Sequence, residues 1–174
     1  MTDRTIPGYM TESELTLIEQ LANQVPENGV IVEVGSYLGL SASAWATCHP
    51  SVKVYCIDKF HIDNQLEMFK NNTSRWPNII PIKGNSPFEI EYPGDPIDIF
   101  FLDGAHVNPS DVDNINFFLP MIKPGGLLCG HDYIKDIRDY FPFVRKNVFD
   151  LERRLNIRPT VYPNTTIWSF RLPA

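Results

Sequence analysis

One stretch constrains the fold of this chain more than any other: Val30-Ile31-Val32-Glu33-Val34-Gly35-Ser36-Tyr37-Leu38-Gly39-Leu40-Ser41. An apolar run carrying a single acid passes into a glycine-bearing turn and then into small and apolar residues. That order reads as a buried strand, a tight loop and a helix start. A second apolar run ends in Asp58, 19 residues after Gly39. Glycines let a ligand approach the backbone, and a carboxylate closing the neighbouring strand can accept hydrogen bonds from two ribose hydroxyls, so the layout builds a nucleotide-type pocket.

The pattern continues along the chain. Strands are expected near 30–34, 53–57, 79–82, 97–102, 126–130, 157–162 and 166–171, and helices near 40–48, 63–73, 110–118 and 135–154. Their alternation predicts an α/β fold with a doubly wound, mostly parallel seven-stranded sheet. Pro163-Asn164-Thr165 joins the last two runs closely enough for a hairpin, which makes the final strand antiparallel. Residues 1–10 are polar with Pro7-Gly8 and read as a loop or frayed arm. Thr11-Glu12-Ser13-Glu14 then offers a capping box, and Leu15, Ile18, Leu21, Ala22 and Val25 follow at helical spacing before Pro26. Residues 1–27 are therefore expected as an arm and cover helix over the ligand end of a single domain spanning 1–174.

Composition sets limits on what such a pocket serves. The chain has 174 residues, 43% of them hydrophobic, enough for one domain with a real core. Its formal charge is −6, with no cluster of Lys and Arg, so the electrostatic footprint of a nucleic-acid binder is missing. Cys48, Cys56 and Cys129 are odd in number and lack Cys-x-x-Cys spacing, as expected of buried, reduced thiols. No charged-then-apolar leader and no apolar stretch of about 20 residues is present, so neither export nor membrane insertion is expected, and a cytoplasmic location follows.

Which nucleotide the pocket takes depends on the loop. A dinucleotide site needs Gly-x-Gly-x-x-Gly, whose middle glycine admits a pyrophosphate; here that position is bulky Tyr37. Glu33-x-Gly35-x-x-x-Gly39 instead suits a ligand without phosphate whose amino-acid tail crosses the loop, with an acid to orient its ammonium. S-adenosylmethionine is such a ligand. Five strand exits carry polar or glycine residues where a doubly wound sheet binds ligands: Gly35-Ser36, Asp58, Gly84-Asn85-Ser86, Asp103 and His131-Asp132.

At these residues the chain resembles the class I S-adenosylmethionine-dependent methyltransferases. The likeness continues through Phe101-Leu102-Asp103-Gly104-Ala105-His106 and Lys123-Pro124-Gly125-Gly126-Leu127-Leu128-Cys129-Gly130-His131-Asp132-Tyr133, which look like a branch of small O-methyltransferases that includes metal-dependent sugar methyltransferases of antibiotic pathways. The cofactor is then expected to meet Glu33, Gly35, Ser36, Tyr37, Gly39, Asp58, Lys59, Asn85, Ser86 and Asp103. Asp58 ranks above Glu33 as a direct contact. Asn85 stands where related enzymes often place an acid near the adenine amino group, and its amide carbonyl can accept the same bond while Ser86 caps the next helix.

Asp103 and Asp132 close strands expected to be neighbours, so their carboxylates can converge near the transferable methyl. Two carboxylates with hydroxyls and water suit Mg²⁺. In the resembling metal-dependent enzymes the position before this Asp is commonly acidic. His131 there either ligates, favouring Mn²⁺, Fe²⁺ or Zn²⁺, or contacts substrate. His106, three residues after Asp103, is the expected general base, and the resemblance implies the same role, since the sugar methyltransferases carry an Asp-x-x-His of this type.

The expectation is metal-assisted O-methylation of a small hydroxylated acceptor such as a sugar or polyketide-like hydroxyl. A chain this short is expected to borrow a partner subunit, as a homodimer, to close its pocket. A NAD-linked oxidoreductase, a metal-dependent hydroxylase-like relative and a binding module without turnover stay open as alternatives. His49 and His61 are expected to be structural, Trp45 and Trp168 core, and Tyr37 and Tyr133 candidates for lining the pocket.

Overall fold

The structure, a computed structural model, describes residues 1–104, 109–134 and 141–174. Among them the chain runs α1 (Glu12–Ala22), β1 (Val30–Val34), α2 (Leu40–Trp45), β2 (Lys53–Asp58), α3 (Gln65–Thr73), β3 (Ile79–Lys83), β4 (Ile97–Leu102), α4 (Ser110–Phe118), β5 (Ile122–Gly130), α5 (Pro142–Leu155), β6 (Thr160–Val161) and β7 (Trp168–Arg171), with a 3₁₀ turn at Leu119–Met121. These strands form one sheet in the order β3-β2-β1-β4-β5-β7-β6. β1 to β5 are parallel, while β7 runs antiparallel to both β5 and β6. The doubly wound α/β fold with an antiparallel C-terminal hairpin is thus observed.

Period-2 alternation along the central strands divides the core between two faces. On β1, Ile31 faces α1, α2 and α3, with Leu15, Ile18, Trp45 and Phe69, whereas Val30, Val32 and Val34 face α4 and α5, with Phe118, Val148 and Leu151. β4 repeats the split: Phe101 meets Trp45 edge-on at 5.2 Å between centroids, and Phe100 stacks on Phe118 at 4.7 Å. Each such side chain stabilises the fold by roughly 1.5–3 kcal/mol through burial. Trp45, Trp168 and all three cysteines are buried, and the thiols are free.

Several boundaries move for physical reasons. α2 stops at Trp45, before the His49-Pro50 turn, and the run at 157–162 supplies only Thr160 and Val161 to the ladder. Of the helix expected over 135–154, the described part begins at Pro142, and residues 135–140 lie outside the described residues. The larger correction is the N-terminal arm, which is docked rather than frayed. Thr2 and Ile6 are buried; the Thr2 amide and hydroxyl donate to Glu19, and Arg4 pairs with Glu12 at 2.6 Å. The capping box of α1 forms as read: Thr11 Oγ1 accepts from Glu14 N at 3.3 Å, and Glu14 Oε2 accepts from Thr11 N at 2.9 Å. Among the described residues no helix is long and apolar enough to cross a membrane.

Strand order reverses between β1 and β4, so a crevice opens at their carboxyl ends. There the ladder extends one residue past each strand. Gly35 N–H donates to Ile57 O, Gly84 N–H to Asp58 O, Asp103 N–H to Val34 O and His131 N–H to Leu102 O, at 2.8–3.1 Å. The polar residues at the exits therefore sit on backbone fixed by the sheet.

Candidate functional site

A cavity of about 680 Å³ covers those exits, within the range of small-molecule sites. Gly35, Ser36 and Tyr37 after β1, Asp58 and Lys59 after β2, Asn85 and Ser86 after β3, Asp103 after β4, and His131 with Asp132 after β5 all line it. Residues Pro7–Met10 of the arm form its outer wall.

The glycine loop is shaped by two requirements. Gly35 has φ +98°, and a Cβ there would lie 1.8 Å from the Asp103 carbonyl oxygen, so only glycine lets the β1 exit pack against the β4 exit. Tyr37 follows in left-handed backbone, φ 46°, as does Phe60, φ 43°. Both donate their N–H groups to one carboxylate: Asp58 Oδ2 accepts from Tyr37 at 2.9 Å and Oδ1 from Phe60 at 2.8 Å. Asp58 thus braces two strained loops and still has acceptor capacity facing the cavity.

Three assigned positions differ from expectation. Glu33 does not line the cavity. It points from β1 into the protein beneath the floor, fully buried, and neither carboxylate oxygen has a hydrogen-bond partner among the described residues. Burial pushes its carboxyl up to about 7; nearby Ser36, Ser41 and Trp45 lower it and the Asp103 charge raises it further. Gly39 does not line the cavity either. At φ +97° it opens α2, where a Cβ would come 2.6 Å from Thr73 Cγ2, so its glycine serves packing against α3. Ser86 caps no helix, because none is described between β3 and β4; its hydroxyl donates to Asn114 Oδ1 at 2.5 Å.

The residues after β4 and β5 converge. Leu102 pairs with Gly130 in the ladder, which sets Asp103 beside His131. His131 is buried; its Nδ1 stands 3.5 Å from Asp103 Oδ1 and 3.2 Å from Asp132 Oδ2, and Asp132 holds φ 62°. Burial works against a charge on this imidazole, yet the carboxylates of Asp132 and Glu14, which face its ring nitrogens as acceptors, and the Asp103 charge raise it to about 10. One ligand atom from each of Asp103, His131 and Asp132 lies within 4.8 Å of the others, and this mixed nitrogen and carboxylate set fits a divalent transition ion. His106 lies outside the described residues.

Other lining residues were not read from the sequence. Ser41, Ser110, Asn114 and Tyr9 reach the cavity, and so does His61, which was expected to be structural. α4 carried a signal: Asp111, Asn114, Ile115 and Phe118 share one buried face, and polar residues on an apolar stripe demand partners. Asn114 finds them in Ser86 and in the Ser110 carbonyl at 2.9 Å. Tyr9 approaches Tyr37 at 5.9 Å between ring centroids. Tyr133, partly buried, packs against the core and is not among the residues that line the cavity.

Comparison with known proteins agrees with this geometry. Residues 32–133, more than half of the chain, match a family described as a methyltransferase domain. An uncharacterized protein of Acanthamoeba polyphaga mimivirus is 29% identical over 149 residues, covering 78% of this chain and 67% of the viral protein. A candidate caffeoyl-CoA O-methyltransferase from Staphylococcus aureus superposes with a TM-score of 0.73 at 20% identity, over 98% of this chain and 87% of its own. An S-adenosylmethionine-dependent O-methyltransferase from Thermotoga maritima gives 0.69 at 14% identity, over 98% and 69%. At these identities the structures speak for the fold, and the matched family carries the assignment. With its glycine loop, its β2 carboxylate and its strand order, the chain belongs to the methyltransferase-domain family of class I S-adenosylmethionine-dependent methyltransferases.

Proposed function

We propose that this enzyme methylates a hydroxyl oxygen of a small hydroxylated acceptor with the help of a divalent cation. One observation carries the reading: Asp103, His131 and Asp132 meet at one point of the same cavity that Ser36, Asp58 and Asn85 line. The cofactor end and an oxygen-binding cluster thus share a single space.

S-adenosylmethionine supplies a methyl group on sulfonium sulfur, and a neutral thioether leaves. Around it Asp58 accepts hydrogen bonds from the ribose hydroxyls, and the Asn85 amide carbonyl accepts one from the adenine amino group, steadied by the Ser86 and Asn114 pair. Ser36 and Ser41 provide hydroxyls for the amino-acid tail. In-line displacement asks little covalent help of the protein, which has to align acceptor oxygen, methyl carbon and sulfur with reacting atoms about 3–3.5 Å apart and keep water out. A cation held by Asp103, His131 and Asp132 would act as a Lewis acid on the acceptor hydroxyl. Asp103 and Asp132 fix the acceptor oxygen, and His106 takes its proton. Tyr9 and Tyr37 offer ring faces at the mouth for the body of the acceptor.

Calorimetric titration of S-adenosylhomocysteine, first with EDTA and then with excess Mg²⁺ or Mn²⁺, tests the pocket. Transfer of labelled methyl to a panel of sugars and phenols with and without metal tests the chemistry. Micromolar binding with metal-dependent transfer to hydroxyl oxygen is expected; transfer that is insensitive to EDTA would remove the metal from the reading.

A further inference from the structure

Glu14 lies on the cover helix, outside the matched segment 32–133, yet its carboxylate reaches the floor of the site. It is 2% exposed. Oε2 accepts from Thr11 N and Thr11 Oγ1, each at 2.9 Å, which is its part in the capping box. Oε1 accepts from Thr166 N at 2.9 Å and Thr166 Oγ1 at 3.0 Å, and stands 3.1 Å from His131 Nε2. That last contact is an ion pair without full hydrogen-bond alignment. Thr166 Oγ1 also accepts from the Asp132 N–H at 3.2 Å, and Thr166 O accepts from Tyr133 N–H at 2.9 Å. A helix cap needs only one of these oxygens, and a surface glutamate would serve it equally well.

We propose that Glu14 is the positioning residue of His131. Its carboxylate draws Nε2 toward the cover helix and leaves Nδ1 facing Asp103 and Asp132, so the ring plane, and which nitrogen faces the two acids, are set from outside the sheet. A carboxylate behind a ligating imidazole fixes the ring and raises its basicity, and loss of such a partner typically lowers metal affinity by about 10- to 100-fold. The inference rests on the metal reading above for its consequence, but on geometry alone for the orientation. It also makes α1 part of the site: seating of the helix that follows Pro7–Met10 and completion of the Asp103, His131 and Asp132 cluster depend on the same side chain.

Glu14→Gln tests it beside Thr11→Val, which weakens the cap and leaves the carboxylate on His131. Two readouts are needed: calorimetric affinity for Mn²⁺, and the ring ¹⁵N signals of His131 in protein without added metal. The proposal expects Glu14→Gln to lose about 10- to 100-fold in Mn²⁺ affinity and to shift the His131 ring signals. S-adenosylhomocysteine affinity should be retained, and Thr11→Val should change neither readout. Equal effects in both variants would reduce Glu14 to a helix cap and overturn it. If the wild type binds no Mn²⁺, the metal reading fails, and the ring signals decide alone: a shift confined to Glu14→Gln upholds the positioning role, and unshifted signals overturn it. Should Glu14→Gln fail to fold, Glu14→Asp, which keeps the charge but withdraws it by one methylene, is read in the same way.

Discussion

Replacing Asp58 with alanine removes one carboxylate from two tasks at once. Oδ2 and Oδ1 hold the amides of Tyr37 and Phe60 at 2.9 and 2.8 Å, with Gln65 Nε2 further off at 3.4 Å. Hydrogen bonds to a charged acceptor contribute about 1.5–3 kcal/mol when shielded. Asp58 is half-buried, and water can reach the freed amides, so the expected net loss in stability is about 1–2 kcal/mol. For a chain of this length that lowers Tm by about 2–8 °C. Loss of the ribose acceptor should weaken S-adenosylhomocysteine binding by about 1–3 kcal/mol, or about 5- to 150-fold in Kd. Asp58→Asn should resemble alanine in stability, because its NH₂ group would face a backbone donor where Oδ1 or Oδ2 now accepts. Calorimetric titration and thermal denaturation in one buffer separate the two tasks. A wild-type Kd would refute the ribose assignment, and a wild-type Tm would refute the bracing of the two loops.

Three further outcomes are expected. Gly35→Ala should cost more than about 4 kcal/mol, since its Cβ meets backbone at 1.8 Å, whereas Gly39→Ala, which meets the end of Thr73 at 2.6 Å, should cost less; comparison of urea midpoints checks the order. Glu33 is raised from 4.5 to about 7 in the folded state, so the folded protein binds the extra proton between those values, and stability present below pH 4.5 is lost as pH rises toward 7. Glu33→Gln should flatten that slope; an unchanged difference between urea unfolding at pH 5 and at pH 7.5 would contradict it. Asp103→Asn and Asp132→Asn should abolish the calorimetric response to Mn²⁺ while keeping S-adenosylhomocysteine affinity, and a normal response in both would dismantle the proposed cation site.

The parts of this protein that were legible in its sequence are those whose signals are local. The apolar run ending at Gly35, the acids closing β2 and β4, the hairpin at Pro163-Asn164-Thr165 and the Thr11 and Glu14 box each involve residues a few positions apart. What escaped is set by distance along the chain. The second oxygen of Glu14 meets Thr166, 152 residues away, and nothing near Glu14 announces it. The arm looked frayed because Thr2 and Arg4 are polar, yet their partners lie on α1. Gly39 was read as a ligand-binding glycine because a φ-permissive residue after a strand suits either a ligand or a close helix, and only the position of Thr73 decides between them. Both faces of β1 are covered, and Glu33 lies on the Ile31 face near Ser41 and Trp45, so a strand acid two residues before the exit was poorly placed to touch a ligand.

The cavity has walls of two kinds. Its floor is backbone locked into the parallel ladder, while Pro7–Met10 reach it from an arm docked outside the sheet through Thr2, Arg4 and buried Ile6. On the proposed function, a designer seeking a new acceptor has a replaceable part: four residues can be rewritten, or exchanged with those of a cousin, while the strand exits keep their ladder bonds. On that reading, substrate preference can change at the arm while the backbone beneath the site stays as it is.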